Sequence, residues 1–303
     1  MLATLLLGGI ALGGLFLLDD PGVAPERELT FPKNEVNDSP KDPPEKDERP
    51  EPDPEERPEI PEEKPEPTEP ITEEPEPRPE PDPNKELPRV AIIIDDLGNS
   101  FEADRKIDMI QADLSLAVLP FREYTKRSLD FFKDKQEIIL HLPLEPSNES
   151  QKEEKMLTVD MSEKEIVENF NLALEEMESH VSGLNSHKGS LFTSDKKSMQ
   201  ILLEEVKNKE LFFVDSFTIA SSVTFSLAKE MGVETAKRDV FLDGQRDKEY
   251  IRDGLQETVS LAERQGQAIA IGHVFPETIE VLKQEMPKLK TRVNFVGVSE
   301  LVE

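Results

Sequence analysis

The chain reads as an α/β protein whose globular part is a parallel (β/α) barrel, with an open doubly wound sheet as the alternative. Three observations predict this. Through residues 89–303, short apolar and largely β-branched runs alternate with amphipathic segments, the pattern of parallel strands joined by helices. There are eight such runs, the number that closes a barrel. Several end on chemistry-bearing residues, namely Asp95, Asp96, His141, His187, Asp215 and His273, as expected where the C-terminal ends of barrel strands meet at one mouth.

The composition divides the 303 residues into three parts. Residues 1–18, MLATLLLGGIALGGLFLL, carry no charge and read as a membrane anchor or signal sequence. Residues 19–88 hold 20 of the 25 prolines and 25 acidic against 9 basic side chains. Few large apolar residues are left there to offset the entropy of ordering, so the segment reads as a disordered Pro/Glu-rich linker, extended by like-charge repulsion. Residues 89–303 carry 40 acidic and 27 basic side chains, which excludes the basic footprint of a nucleic-acid binder. The absence of cysteine excludes disulfides, thiolate metal sites and cysteine nucleophiles.

Along the globular part the candidate strands are 90–94, 114–119, 137–140, 181–184, 211–214, 236–241, 268–271 and 293–298. Ser162 with Glu165 in SEKE forms a capping-box signature, and Thr193 or Ser194 stands as a helix start before DKKSMQILLEEVK. Gly232 after AKEM and Gly266 after AERQ mark helix ends.

The first run, VAIIIDDLGNS, ends on two adjacent carboxylates, Asp95 and Asp96. Burying such a pair is costly unless something neutralises it. Of four histidines, His141, His187 and His273 follow apolar strands, while His180 closes a helix and reads as a surface residue. Two imidazoles and one carboxylate make an open site for a divalent cation such as zinc, and a second carboxylate beside it can remain ionised as a base. Glu145 in the proline-stiffened HLPLEP is a candidate extra ligand or a partner to one, or else a solvent-exposed carboxylate. Asp215 is placed to orient an imidazole, or to cap the helix that follows. Arg238, in KRDVFLD, is a candidate ion-pair partner for Asp95, or else pairs with Asp239 at the surface.

Taken in order, VAIIIDDLGNS, LAVLPF, EIILHLPLEP, LTVDMSEKEI, GLNSHKGSLFT, LFFVDS, KRDVFLD and AIAIGHVFPETIEVL resemble the divergent polysaccharide deacetylases over nearly the whole globular part. The resemblance implies a distorted (β/α) barrel of the polysaccharide deacetylase type and metal-dependent removal of acetyl groups from glycans. By position it implies Asp95 as general base, with Asp96, His141 and His187 as metal ligands. His273 becomes the general acid, which Asp215 on the reading above would orient, and Glu145 stands where the superfamily has its second metal-binding histidine. The chain departs from the family pattern at Ser186, Lys188, Phe217 and Val274, where asparagine, methionine, arginine and an aromatic or proline are usual.

The expectation is therefore a zinc-dependent carbohydrate deacetylase outside the cytoplasmic membrane, held through its N-terminal segment and acting on an acetylated polysaccharide of the cell envelope. Two rivals stand beside it. One is a glycan-binding or scaffolding domain without turnover, and the other an esterase acting on simple esters.

Overall fold

The computed structural model describes residues 86–178 and 180–303. The expected anchor (1–18) and nearly all of the expected linker (19–88) lie outside the described residues. Among the described residues no helix is long and apolar enough to cross a membrane.

Nine parallel strands form the sheet: β1 (Arg89–Leu97), β2 (Ser115–Val118), β3 (Glu137–Leu144), β4 (Gly183–Lys188), β5 (Phe212–Asp215), β6 (Thr235–Lys237), β7 (Val240–Phe241), β8 (Gln267–His273) and β9 (Asn294–Phe295). Among the described residues seven α-helices accompany them: α1 (Phe101–Asp104), α2 (Thr125–Phe132), α3 (Glu163–Glu176), α4 (Lys196–Asn208), α5 (Thr224–Met231), α6 (Lys248–Gln265) and α7 (Pro276–Leu289). The spatial order is β6-β5-β4-β3-β2-β1-β8-β7, with β9 on β1. This is the distorted (β/α) barrel that the sequence predicts.

Its distortion has a local cause. The single run expected at 236–241 breaks into β6 and β7, which end opposite edges of the sheet and share no ladder. The chain itself bridges the seam: Arg238 donates its peptide N–H to Asp215 on β5, and Asp239 donates to Ile269 on β8. Below the seam the last residues pair with β6, Thr235 and Glu303 exchanging backbone hydrogen bonds of 3.1 Å each.

The strands are apolar on both faces because both are covered. On β1, Val90, Ile92 and Ile94 face the helices and join the large outer core, while Ala91 and Ile93 face inward. The same alternation puts Ile139 of β3, Phe212 and Val214 of β5, and Ile269 and Ile271 of β8 in the inner core, whose base is closed by Val298 and Leu301. Side chains two residues further along a strand share its face. Ile93 therefore leads to Asp95, Ile139 to His141, and Ile271 to His273. The barrel is greasy at its base and titratable at its mouth.

Helix boundaries follow their caps. Ser162 and Glu165 form the complete capping box of α3, and Gly232 and Gly266 end α5 and α6 in the left-handed conformation, at φ of 70° and 95°. The start of α4 differs from expectation. Asp195, whose side chain accepts from Ser198 N, caps it in place of Thr193 or Ser194, a carboxylate at a helix N-terminus being favoured by the dipole as well. β3 also runs on to Leu144 through Pro143. The proline is tolerated because pairing with β2 stops at Leu140, so its missing N–H breaks no ladder bond on that side.

Candidate metal centre

The adjacency of Asp95 and Asp96 is resolved by the backbone. In a regular strand they would point to opposite faces. Here the β1–β2 register shifts between Ile94 and Leu97, and Asp96 takes a left-handed φ of 69°, which costs a non-glycine residue about 1–2 kcal/mol. Both carboxylates thereby reach the mouth. His141 Nε2 lies 3.3 Å from Asp96 Oδ1 and 3.8 Å from Asp95 Oδ2.

His141 pairs in register with Asn185, and Pro143 with His187, so Asn185 and His187 are two apart on the inner face of β4. His187 Nδ1 is 3.0 Å from Asp96 Oδ1 and 3.1 Å from His141 Nε2. Asp96, His141 and His187 thus bring three ligand atoms together, from three different strands.

The outer nitrogens of both rings are already engaged. Asn185 Nδ2 donates to Asp95 Oδ1 at 2.8 Å, which turns its Oδ1 toward His141 Nδ1 at 2.7 Å. An amide oxygen can only accept, so His141 carries a proton on Nδ1 and, as a neutral ring, offers a lone pair at Nε2. His187 Nε2 faces Glu153 Oε1 at 3.4 Å, an acceptor again; a proton held there leaves the lone pair on Nδ1. Two lone pairs and a carboxylate oxygen then confront one another. Asp96 Oδ1 is buried and receives no well-formed hydrogen bond.

That arrangement fits a divalent cation. Around a tetrahedral ion with ligands at about 2.0–2.1 Å, neighbouring ligand atoms lie about 3.3–3.4 Å apart, against 3.0–3.3 Å for the three atoms here. Three protein ligands leave a position open, the feature of catalytic rather than structural sites.

The electrostatics separate the two aspartates. Burial pushes Asp95 up, and the opposing pull of His141, His273 and Asn185 does not cancel it. Burial also pushes Asp96 up, but the two imidazoles beside it hold its carboxyl well below the usual range. His141 is raised because Asp95 and Asp96 outweigh its burial. A raised carboxylate suits a proton acceptor, and a depressed one suits a ligand.

His273 sits beside Asp95 across the β1–β8 ladder. Its Nδ1 is 2.9 Å from Asp243 Oδ1, while Asp243 Oδ2 accepts from the His273 peptide N–H at 2.6 Å and from Thr278 Oγ1 at 2.7 Å. Burial works to lower His273, but the Asp243 bond and the charge of Asp95 raise it to about 9.

Three expectations need correction. Asp215 does not orient His273: it accepts from Phe217 N at 2.8 Å and Ser222 Oγ at 2.9 Å, holding the turn after β5. Asp243, just past β7, takes that place because β7 is the neighbour of β8. Arg238 forms no ion pair with Asp95. Its guanidinium donates to the carbonyl oxygens of Ser216 and Phe217 at 2.7 and 3.0 Å. Glu145 is buried and neither a ligand nor a partner to one, since its carboxylate takes Val159 N at 2.8 Å and Lys152 Nζ at 2.6 Å and so anchors the 147–160 loop. His180 is exposed.

Sequence reasoning missed Asn185, Glu153 and Asp243. Asn185 carries a signal, two residues before His187 on a strand, and so does Asp243, a carboxylate two residues past a strand end. Glu153 carries none, because a long loop brings it to the site.

A model of the divergent polysaccharide deacetylase family matches residues 92–302. An uncharacterised protein of Haemophilus influenzae is 32% identical over 214 residues, covering 70% of this chain and 76% of its own. The protein YibQ of Escherichia coli is 32% identical over 215 residues, covering 71% and 67%. The crystal structure of protein ATU2773 from Agrobacterium tumefaciens superposes with a TM-score of 0.68 at 23% identity, covering 73% of this chain and 92% of that one. The last similarity is one of fold.

Proposed function

The chain belongs to the divergent polysaccharide deacetylase family, and from that premise we propose that it is a metal-dependent hydrolase removing acetyl groups from a cell-surface polysaccharide. One observation carries the reading: the lone pairs of His141 Nε2 and His187 Nδ1 and the unpartnered Asp96 Oδ1 face each other within 3.3 Å, beside a second carboxylate with a raised pKa. With both rings neutral and each outer nitrogen holding its proton, no hydrogen bond forms among these three acceptors, and a cation satisfies all of them.

Asp96, His141 and His187 would hold the ion, zinc being suited to two imidazoles and a carboxylate. When bound, it would acidify water and polarise the acetyl carbonyl. Asp95, held in place by Asn185 Nδ2, accepts the proton of the attacking water. His273, with Nδ1 committed to Asp243, delivers a proton from Nε2 to the departing sugar amine or hydroxyl. The rings of Phe241 and Phe275 flank His273 at centroid distances of 5.5 and 5.2 Å. The apolar residues 1–18 and the Pro/Glu-rich residues 19–88 support an extracytoplasmic setting, tethered within reach of envelope polymer.

The test is metal content together with acetate release from acetylated glycan, wild type against His187→Ala. Wild type should carry about one zinc per chain and release acetate, and the variant should lose both. Saturable glycan binding with no acetate release at any metal concentration would instead assign a binding domain, and turnover confined to simple esters an esterase.

A further inference from the structure

Glu153 belongs to the 147–160 loop between β3 and α3, which is tied down along its length. Glu145 holds it through Val159 N and Lys152 Nζ, Leu157 exchanges backbone hydrogen bonds with Pro143 and Glu145 at 2.9 Å each, and Lys188 Nζ donates to Gln151 O at 2.9 Å. The loop thus delivers the Glu153 carboxylate to a defined place. There it is gripped by Arg122 and Lys188, and its Oε1 faces His187 Nε2 at 3.4 Å.

A neutral imidazole has one N–H, and either nitrogen can bear it. Which one does so decides which can bind a metal, because only the nitrogen without the proton has a lone pair to give. Opposite Asp96 and His141 stands Nδ1, at 3.0 and 3.1 Å. On the far side of the ring stands a carboxylate, which accepts and cannot donate. We propose that Glu153 is a positioning residue that locks His187 in the tautomer with Nε2 protonated and Nδ1 free to coordinate, so that the 147–160 loop is part of the metal site although it supplies no ligand. The proposal rests on the metal-site reading above and names what orients its third ligand.

The two cations explain why a third carboxylate is tolerated beside Asp95 and Asp96. Unpaired, Glu153 would add like charge to an already acidic mouth. Paired with Arg122 and Lys188, it presents an acceptor whose negative charge is more than compensated. Lys188 takes a left-handed φ of 60° next to His187, which turns its side chain toward the loop. Carboxylate partners of this kind, on the nitrogen of a ligating histidine remote from the metal, change metal affinity by about 10–100-fold.

The experiment uses the full chain, zinc alone as the probe, and ring-15N histidine. Four histidines keep the ring-nitrogen spectrum assignable by single substitutions. In the wild type, His187 should be protonated at Nε2 before zinc is added and coordinated through Nδ1 afterwards. In Glu153→Ala the metal-free ring should become a mixture of tautomers, and the zinc Kd, read by competition with a chromophoric chelator, should rise about 10–100-fold. Glu153→Gln, whose amide oxygen still accepts from Nε2, should recover much of that loss. Coordination of wild-type His187 through Nε2, an unmixed tautomer in Glu153→Ala, or a Kd unchanged in that variant would each overturn the proposal. The first of these leaves the metal reading standing, whereas failure of the wild type to bind zinc would overturn both.

Discussion

Substituting Asp243 by asparagine tests the acid side of the site. In the wild type, the rise of His273 from 6.5 to about 9 amounts to about 3 kcal/mol of preference for the charged imidazole. The hydrogen bond from His273 to Asp243 is the largest effect opposing its burial. Asparagine removes the charge and splits the geometry. Asp243 accepts at Oδ1 from the ring and at Oδ2 from the His273 peptide N–H, whereas an asparagine has one acceptor and must leave one of these sides facing an N–H donor. With burial then less opposed, His273 should lose its proton at least one pH unit lower, a change of about 1.4 kcal/mol.

The alkaline limb of acetate release, near pH 9 in the wild type, should move down by at least that much, and at pH 8 the variant should be slower by at least about two-fold. Stability should follow the same sign. A raised folded pKa contributes stability that is complete below pH 6.5 and is lost as pH rises through about 9, so the wild type's advantage over Asp243→Asn in denaturant melts should shrink across that window. Titration of His273 by NMR at the same pH in both proteins would refute the reasoning, as would an unmoved alkaline limb.

Three further outcomes are expected. Asp95→Asn keeps all three ligands, so zinc content should be unchanged while kcat falls about 10²–10⁴-fold, the usual worth of a general base; loss of zinc would instead make Asp95 a ligand. Asp96→Gly relieves a left-handed non-glycine backbone but removes the carboxylate that both imidazoles hold well below its usual range, so zinc binding should be abolished and the metal-free protein should melt below the wild type at neutral pH. Gly183→Ala would place a Cβ 2.3 Å from the Phe212 ring, and overpacking of that kind should cost about 1–3 kcal/mol by chemical denaturation.

How much of this could be read from the chain depended on how local the information was. Along one strand the two-residue period is obligatory, and Ile93 to Asp95, Ile139 to His141 and Ile271 to His273 each follow inward-facing apolar positions by two. Asp96 broke that rule. Its side chain reaches the mouth only because β1 loses register with β2 and φ becomes positive, neither of which is marked by the DDLG tetrapeptide alone. The run at 236–241 looked like one strand because its apolar residues are continuous, yet the chain must cross the seam there, and Arg238 and Asp239 spend their peptide N–H groups on opposite edges.

By itself the sequence determined an α/β fold of parallel strands, the strand ends at which chemistry collects, and the residues able to hold a cation, because strand periodicity and side-chain chemistry are properties of neighbours in the chain. Only the tertiary structure decided the pairings. Asp215 and Asp243 both follow apolar runs and are equivalent on paper. The order β6-β5-β4-β3-β2-β1-β8-β7 puts β7 beside β8 and β5 toward the far edge, so Asp243 meets His273 and Asp215 cannot. Likewise the hydrogen bonds that place each imidazole proton come from Asn185 on a neighbouring strand and Glu153 on a distant loop, contacts made by strand order and loop path rather than by distance along the chain.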